Sequence, residues 1–459
     1  MIQNNLKNDK NEIKHKENGS VNVLERNSVV YKDLSFTLTQ EISNYSKQYS
    51  NVYVARLKEL GEVLTANVNA KWKDVRITKL ADLDAIAGNT CAIIGTLYKH
   101  QQWKPSILRE VGEHNRLTLQ PEKSDYCSEN DQVFLEDEEL RIRLVGNLID
   151  LESVVTGLIC AVLGNEGKDG TFTVKDWCFP GCAPQTHLTV NSNSSGKIVL
   201  ISGLNFIKNS DDIAVELLRE WICGMAGDIT AQKEEASVVR LIIAGNSINN
   251  SKKIYERLNM SALKIEEQKH TAETVTATQK LDAFLSNIAK CCGVTLMPGQ
   301  HDPCNRLLPQ KPLHPCMLPK SCRLASFQGG SNPWVSQIGK RLIMGSSGES
   351  IEDIMKASGS KDMSPLQWLE KTLIWRHFCP TGPDTLPSYP YNEKDLFIIK
   401  QCPDIYFTGN ANKYETKLFK GEENQVVRLV CIPQFSTSHA AVIIDLESLD
   451  AELIHFGTE

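Results

Sequence analysis

A mixed α/β sandwich preceded by a small β-barrel is the fold class the sequence predicts, on three observations. Between residues 91 and 184, short apolar strands are separated by Gly-containing turns. From residue 197, continuous apolar strands alternate with helical stretches, and after residue 404 strands follow one another alone. The first pattern describes a small barrel. The other two describe strands buried on both faces and covered by helices.

The 459 residues leave room for about two to four domains with ample core. Apolar content is 41% and charged content 23%, within the globular range. The formal charge of -6, with no Lys/Arg block, argues against autonomous high-affinity DNA binding. The fourteen cysteines are scattered through strands and loops without the spacing of a disulfide framework. The polar N-terminus lacks an apolar signal segment, and no membrane span is expected. A reducing compartment, cytosol or nucleus, is therefore expected.

Taken in order, residues 1–38 are rich in Asn, Lys and Glu, and are expected to form a disordered tail. Residues 39–80 form an N-terminal helical segment. Within it KQYSNVYVARLKEL (47–60) sets Tyr49, Val52, Tyr53, Arg56 and Leu57 at three- and four-residue spacing, an aromatic stripe that must pack on core or partner. Residues 81–190 supply the barrel. CAIIGTLYKH (91–100), LRIRLVGNL (140–148), VVTGLICAVLGN (154–165) and TFTVKDWCFP (171–180) are its strands, with Arg141 and Arg143 alternating against Ile142 and Leu144. Tyr98, Lys99 and Trp103 are its one aromatic and basic cluster, suited to a single strand or to a protein contact. THLTVNSNSSG (186–196) is a polar linker.

Residues 191–459 carry the α/β unit. Strands are expected at 197–205, 237–248, 294–298, 341–348, 404–412 and 426–435, helices at 212–227 and 264–290, and a hairpin over 439–457. Loops at the carboxyl ends of such strands are where a site is built.

Familiar catalytic motifs are missing from these loops. Gly345-Ser346-Ser347-Gly348 is one residue short of a nucleophile elbow. GNEGKDG (164–170) lacks phosphate-loop spacing, and Cys178-x3-Cys182 is too sparse for a zinc site. What remains is SGLN (202–205), AGNSIN (244–249), PGQHDP (298–303) and TGNANK (408–413), in the places where a binuclear metal centre would stand. Two metals need anionic or imidazole ligands to balance their charge. Apart from His301 and Asp302, these loops offer Ser, Asn and Gln.

The loop series resembles the calcineurin-like phosphoesterases, whose active members carry D-x-H, G-D-x-x-D, G-N-H-[DE] and G-H-x-H after successive strands. Here Ser202-Gly203-Leu204 has lost the Asp and the His, and Asn246 and Asn249 replace both carboxylates of the second motif. Gln300 replaces the ligating Asn beside His301 and Asp302, and Asn410 and Asn412 replace both histidines of the last. Loss of one such group costs about 10–100-fold in metal affinity. Losses in four loops argue against the alternative of a metal-dependent phosphoesterase.

More of the chain resembles the small, B-family accessory subunits of DNA polymerase delta. The likeness is carried by YSKQYSNVYVARL (45–57), IIGTLYKHQQWKPSILREV (93–111), FLEDEELRIRLVGNL (134–148), VVTGLICAVLG (154–164), LPQKPLHPCMLP (308–319), RHFCPTGPDTLPSYP (376–390) and DIYFTGNANKYETKLFKGEENQVVRLVCIPQFS (404–436). The resemblance implies a two-layered calcineurin-like phosphoesterase β-sandwich flanked by helices, inactive, preceded by an OB-type β-barrel. It implies no enzymatic activity, no cofactor and no metal. It implies binding to the cysteine-rich C-terminal domain of the catalytic subunit, a bridge to a further accessory subunit, DNA met through the complex, and the nucleus as location. A stand-alone single-strand binder is the other alternative.

For single residues, His301 and Asp302 are expected to hydrogen-bond each other and nearby backbone. His314 is expected to be a rigid loop histidine, and Arg376 with His377 a local salt bridge rather than a phosphate clamp. Tyr49, Tyr53, Tyr98, Trp103 and Asp384 are the candidate partner contacts.

Overall fold

The computed structural model describes residues 25–35, 48–83, 88–104, 125–167, 169–186, 195–207, 213–249, 260–391 and 394–457, with 260–267 as backbone only. Residues 1–24, most of the 186–196 linker and the 105–111 part of the resemblance lie outside the described residues.

The chain opens with β1 (Tyr31–Asp33) and α1 (Ser50–Lys71). Five strands then form a closed barrel in the order β2-β3-β4-β6-β5: β2 (Cys91–His100), β3 (Gln132–Glu136), β4 (Arg141–Val145), β5 (Ile159–Glu166) and β6 (Thr171–Cys178). Ile142 and Leu144 of β4 face inward while Arg141 and Arg143 stay exposed, as the alternation predicts.

Two six-stranded sheets follow. One runs β10-β9-β8-β7-β16-β17, built from β7 (Lys197–Ile201), β8 (Val238–Ala244), β9 (Gly293–Met297), β10 (Phe327–Gly329), β16 (Ala440–Asp445) and β17 (Ala451–His455). The other runs β1-β11-β12-β13-β15-β14, with β11 (Trp334–Ile338), β12 (Arg341–Ser346), β13 (Ile405–Ala411), β14 (Glu415–Lys420) and β15 (Val426–Pro433). Ile198, Leu200, Ile242, Ile343, Ile405 and Phe407 form one core between strands of the two sheets. Helices α2 (Ile213–Ile222), α3 (Ile229–Ala236) and α4 (Met260–Ile288) punctuate the first sheet, and Leu218, Ile222, Leu281 and Leu285 pack on its other face. Helices α5 (Glu349–Ser358) and α6 (Pro365–Ile374) serve the second sheet, and a last turn, α7 (Phe435–Ser438), precedes β16. Parallel strands β7, β8 and β9 are mostly apolar because both faces are covered, with Lys197, Arg240 and Thr295 as exceptions.

The sequence pattern misses short or edge elements. Strand β1 falls where a disordered tail is expected, and it pairs antiparallel with β11. Its hold is both apolar and polar: Val29 and Tyr31 pack against the core between the sheets, and the Arg240 guanidinium lies 3.6 Å from the Tyr31 ring centroid. Arg26 donates to the carbonyls of Ile222, Glu235 and Val238. Helix α1 lies within the expected 39–80 segment, runs past the 47–60 pattern, and buries Val52, Arg56, Leu60, Leu64 and Val68, a strict four-residue stripe. The three apolar members at its end contribute about 1.5–3 kcal/mol each. The expected aromatic stripe is displaced from that face, since Tyr49 is 45% exposed and Tyr53 half-buried.

The barrel and the sheets share one core, in which Ile93, Leu135 and Phe172 join Trp368, Leu373 and Tyr406. The segment between them is bonded down: Arg376 donates to the carbonyls of Gly181 and Cys182, and Gln185 to those of Pro403 and Val426.

Candidate functional site: an emptied metal centre and an aromatic rim

The carboxyl ends of β7, β8, β9 and β13 bring the four loops together, and hydrogen bonds of serine, asparagine and backbone groups, with the Asp302 carboxylate, knit them. Ser202 Oγ donates toward the carbonyls of Ile432 and Pro433 and accepts the Asn410 backbone N–H at 2.8 Å. The Asn410 amide donates to Ala244 O at 3.1 Å and Ser347 O at 2.7 Å. Asn246 accepts the His301 backbone N–H at 3.0 Å. Asn246, Asn249 and Asn410 all hold φ between 53° and 59°, a left-handed conformation that Asn tolerates better than most residues. Gly299 is required by contact, because a Cβ there would lie 2.4 Å from the Asn246 backbone nitrogen.

Several ligand positions now serve the fold. Leu204 is fully buried in the core beside α2 and α4. Gln300 and Asn412 are exposed. Asp302 accepts the Ile248 N–H at 2.8 Å and the Gly299 N–H at 3.0 Å, so its carboxylate joins two loops through their backbone. Burial pushes its pKa up, against the amides of Ile248, Ser247, Gly299 and Asn249, which hold the charge. Among the described residues no group of three or more His, Cys, Asp or Glu is placed to hold a metal ion. The residues present do not fit a binuclear centre.

Sequence reasoning misses Asn332 and Gln310, which complete this network. The Asn332 amide donates to Gln310 Oε1 and Ser347 Oγ, each at 2.7 Å, and accepts the Ser347 N–H at 3.0 Å. No local motif marks them.

The expected aromatic and basic cluster is partly dismantled. Lys99 is 1% exposed, and its ammonium donates to the carbonyls of Leu151, Ala357 and Ser358, where it caps the end of α5. It is unavailable to a single strand. His314 Nδ1 accepts the Cys316 N–H at 3.2 Å, a local cap. His377 pairs with Asp395, but Arg376 turns to backbone carbonyls instead of the expected salt bridge.

The five candidate contacts lie along one rim. Lys104 pairs with Asp384, and its ammonium sits 5.5 Å from the Tyr98 ring centroid. Arg141 covers the same ring at 4.3 Å and pairs with Glu136. Tyr53 feels the charges of Asp384 and Glu136, though burial does most to push its phenol pKa up. Trp103 is exposed next to Lys104, and Tyr49 lies one turn before Tyr53 on α1.

Comparison with known proteins agrees with both halves. Residues 48–177 match the family described as "DNA polymerase delta subunit OB-fold domain", and residues 198–417 match the family of B subunits of DNA polymerases alpha and epsilon. DNA polymerase delta subunit 2 of Drosophila melanogaster is 38% identical, over 94% of this chain and 98% of its own length. The DNA polymerase delta small subunit of Oryza sativa subsp. japonica is 35% identical, over 95% and 99%. That of Saccharomyces cerevisiae is 29% identical, over 92% of each. With the emptied loops, the barrel and this end-to-end likeness together, the chain belongs to the family of DNA polymerase delta small subunits.

Proposed function

We propose that this chain is a non-catalytic scaffold of the DNA polymerase delta complex that binds the cysteine-rich C-terminal domain of the catalytic subunit and bridges to a further accessory subunit. In this reading residues 81–190 are an OB-type barrel and 191–459 an inactive calcineurin-like phosphoesterase sandwich, and the protein works in the nucleus. One observation carries it. Metal-ligand positions are neutral or turned to folding, with Leu204 in the core, Asp302 bonded to backbone amides, and uncharged Gln300 and Asn412 exposed.

Co-expression with the polymerase delta catalytic subunit tests the reading: a stable complex is expected, lost when the catalytic subunit's C-terminal domain is deleted. Purified chain is expected to hold no stoichiometric manganese or zinc by elemental analysis and to leave bis-p-nitrophenyl phosphate intact. A metal-dependent turnover removed by His301→Ala, or no complex with the catalytic subunit, would sink it. A fluorescent fusion concentrated outside the nucleus would remove the location.

A further inference from the structure

We infer that the rim where α1, the barrel and the loop around Asp384 meet is a docking surface for a polypeptide segment bearing lysine or arginine among apolar residues, supplied by the catalytic subunit. This rests on the accessory reading above and adds the surface and the chemistry of what it takes.

The rim is continuous. From Tyr49, at the N-terminal cap of α1, and Tyr53 within the helix it passes through Asp384 and Lys104 to Tyr98, Arg141 and the β3–β4 hairpin. Tyr49, Trp103 and Leu140 each leave 41–49% of their surface in water. Tyr, Trp and Arg are the side chains enriched at the energetic centres of protein interfaces.

Its charge decides between partners. The two cations at its centre are already neutralised, Lys104 by Asp384 and Arg141 by Glu136. The hairpin then adds Asp137, Glu138 and Glu139. Asp137 is tied in place, accepting the N–H groups of Leu80, Glu139 and Leu140, while Glu138 and Glu139 are exposed. A nucleic acid site needs uncompensated cations to displace counterions. This rim presents aromatic edges beside carboxylates, which attract a basic, apolar segment.

The test uses the full chain and the purified polymerase delta catalytic subunit. The charge reversal Glu138→Lys with Glu139→Lys, and separately Tyr49→Ala with Trp103→Ala, should each weaken binding about tenfold or more. Raising salt from about 0.05 M to about 0.5 M should shrink the first loss and leave the second. Thermal melts of both exposed-surface variants should match wild type. Labelled oligo-dT of about 20 nucleotides should show no saturable binding to the chain alone. If wild type binds the catalytic subunit and both variants bind equally well, the surface is wrong while the accessory reading stands. If wild type binds no catalytic subunit, the accessory reading itself fails. Saturable oligo-dT binding that Tyr49→Ala with Trp103→Ala weakens would overturn the protein partner in favour of nucleic acid.

Discussion

The Arg56 guanidinium donates to Asp395 at 2.6 Å, with both side chains buried, and so joins α1 to the two-sheet unit. The same guanidinium donates to the carbonyls of Gly157 in the barrel and of Pro380 and Gly382 beyond it. His377 donates to the same Oδ2 of this acid: its Nδ1 accepts the Cys379 N–H at 3.1 Å, which leaves the ring proton on Nε2, 2.9 Å from Asp395, while Asp395 Oδ1 accepts the Phe397 N–H. Three parts of the chain meet at this one buried ion pair.

Removing the arginine strands that carboxylate. Arg56→Ala should lower stability by about 3–5 kcal/mol. Arg56→Lys should recover only a fraction, because a single ammonium cannot span four acceptors in three directions. Urea denaturation followed by tryptophan fluorescence measures both, and a loss under about 1 kcal/mol for Arg56→Ala would contradict the assigned role.

The same cluster gives stability a pH dependence. Burial lowers the His377 pKa from 6.5 to about 4, assisted by Arg56 and opposed by Asp395. The unfolded chain therefore binds the extra proton first, and stability should fall as pH drops from 6.5 towards about 4. Burial alone would raise the Asp395 pKa, yet Arg56 and His377 hold it well below the usual carboxylate range, so its contribution is lost only at lower pH. Unfolding free energies across this window should show the slope, and His377→Gln should flatten it.

Asp302 should behave as a structural acid. Asp302→Ala removes acceptors from two buried backbone amides and should cost about 1–3 kcal/mol. Stimulation of polymerase delta by the assembled complex should stay near wild type. Loss of stimulation with the complex intact would instead assign this loop a working role.

Lys99 should matter to the fold and not to DNA. Lys99→Met deletes a buried cation bonded to three carbonyls and should destabilise by about 2–4 kcal/mol. Calorimetric melts read that loss, while oligo-dT anisotropy should not change between the two proteins.

Metal should be dispensable. Dialysis against EDTA should leave the melting temperature where it was, because the loops are closed by amide and backbone bonds such as those of Asn410 and Asn332. Restoring one ligand with Gln300→Asn should not bring stoichiometric manganese into the protein, since Leu204 and Asn246 still supply no charge. Elemental analysis reads the outcome.

Much of this molecule is determined by the sequence alone. The buried strands β7, β8, β9, β12, β13 and β15, the terminal hairpin and helices α2 and α4 follow from apolar runs and helical spacing, because a strand buried on both faces is mostly apolar. Strands β10, β11 and β14 and helices α3, α5 and α6 do not. The neutrality of the four loops is equally a matter of composition, and no fold can turn Ser202, Asn246 and Asn410 into anionic ligands. Tertiary structure decided the rest. Whether Arg56 meets Asp395, 339 residues away, or whether Lys99 faces water or the end of α5, depends on contacts between distant segments that local pattern does not encode. Strand β1 exists because β11 offers it an open edge, and a polar three-residue strand has no periodicity of its own to read. Tyr49 leaves the buried stripe for the same reason: helical spacing defines two faces, and only the barrel and sheets beside α1 select the one that is covered.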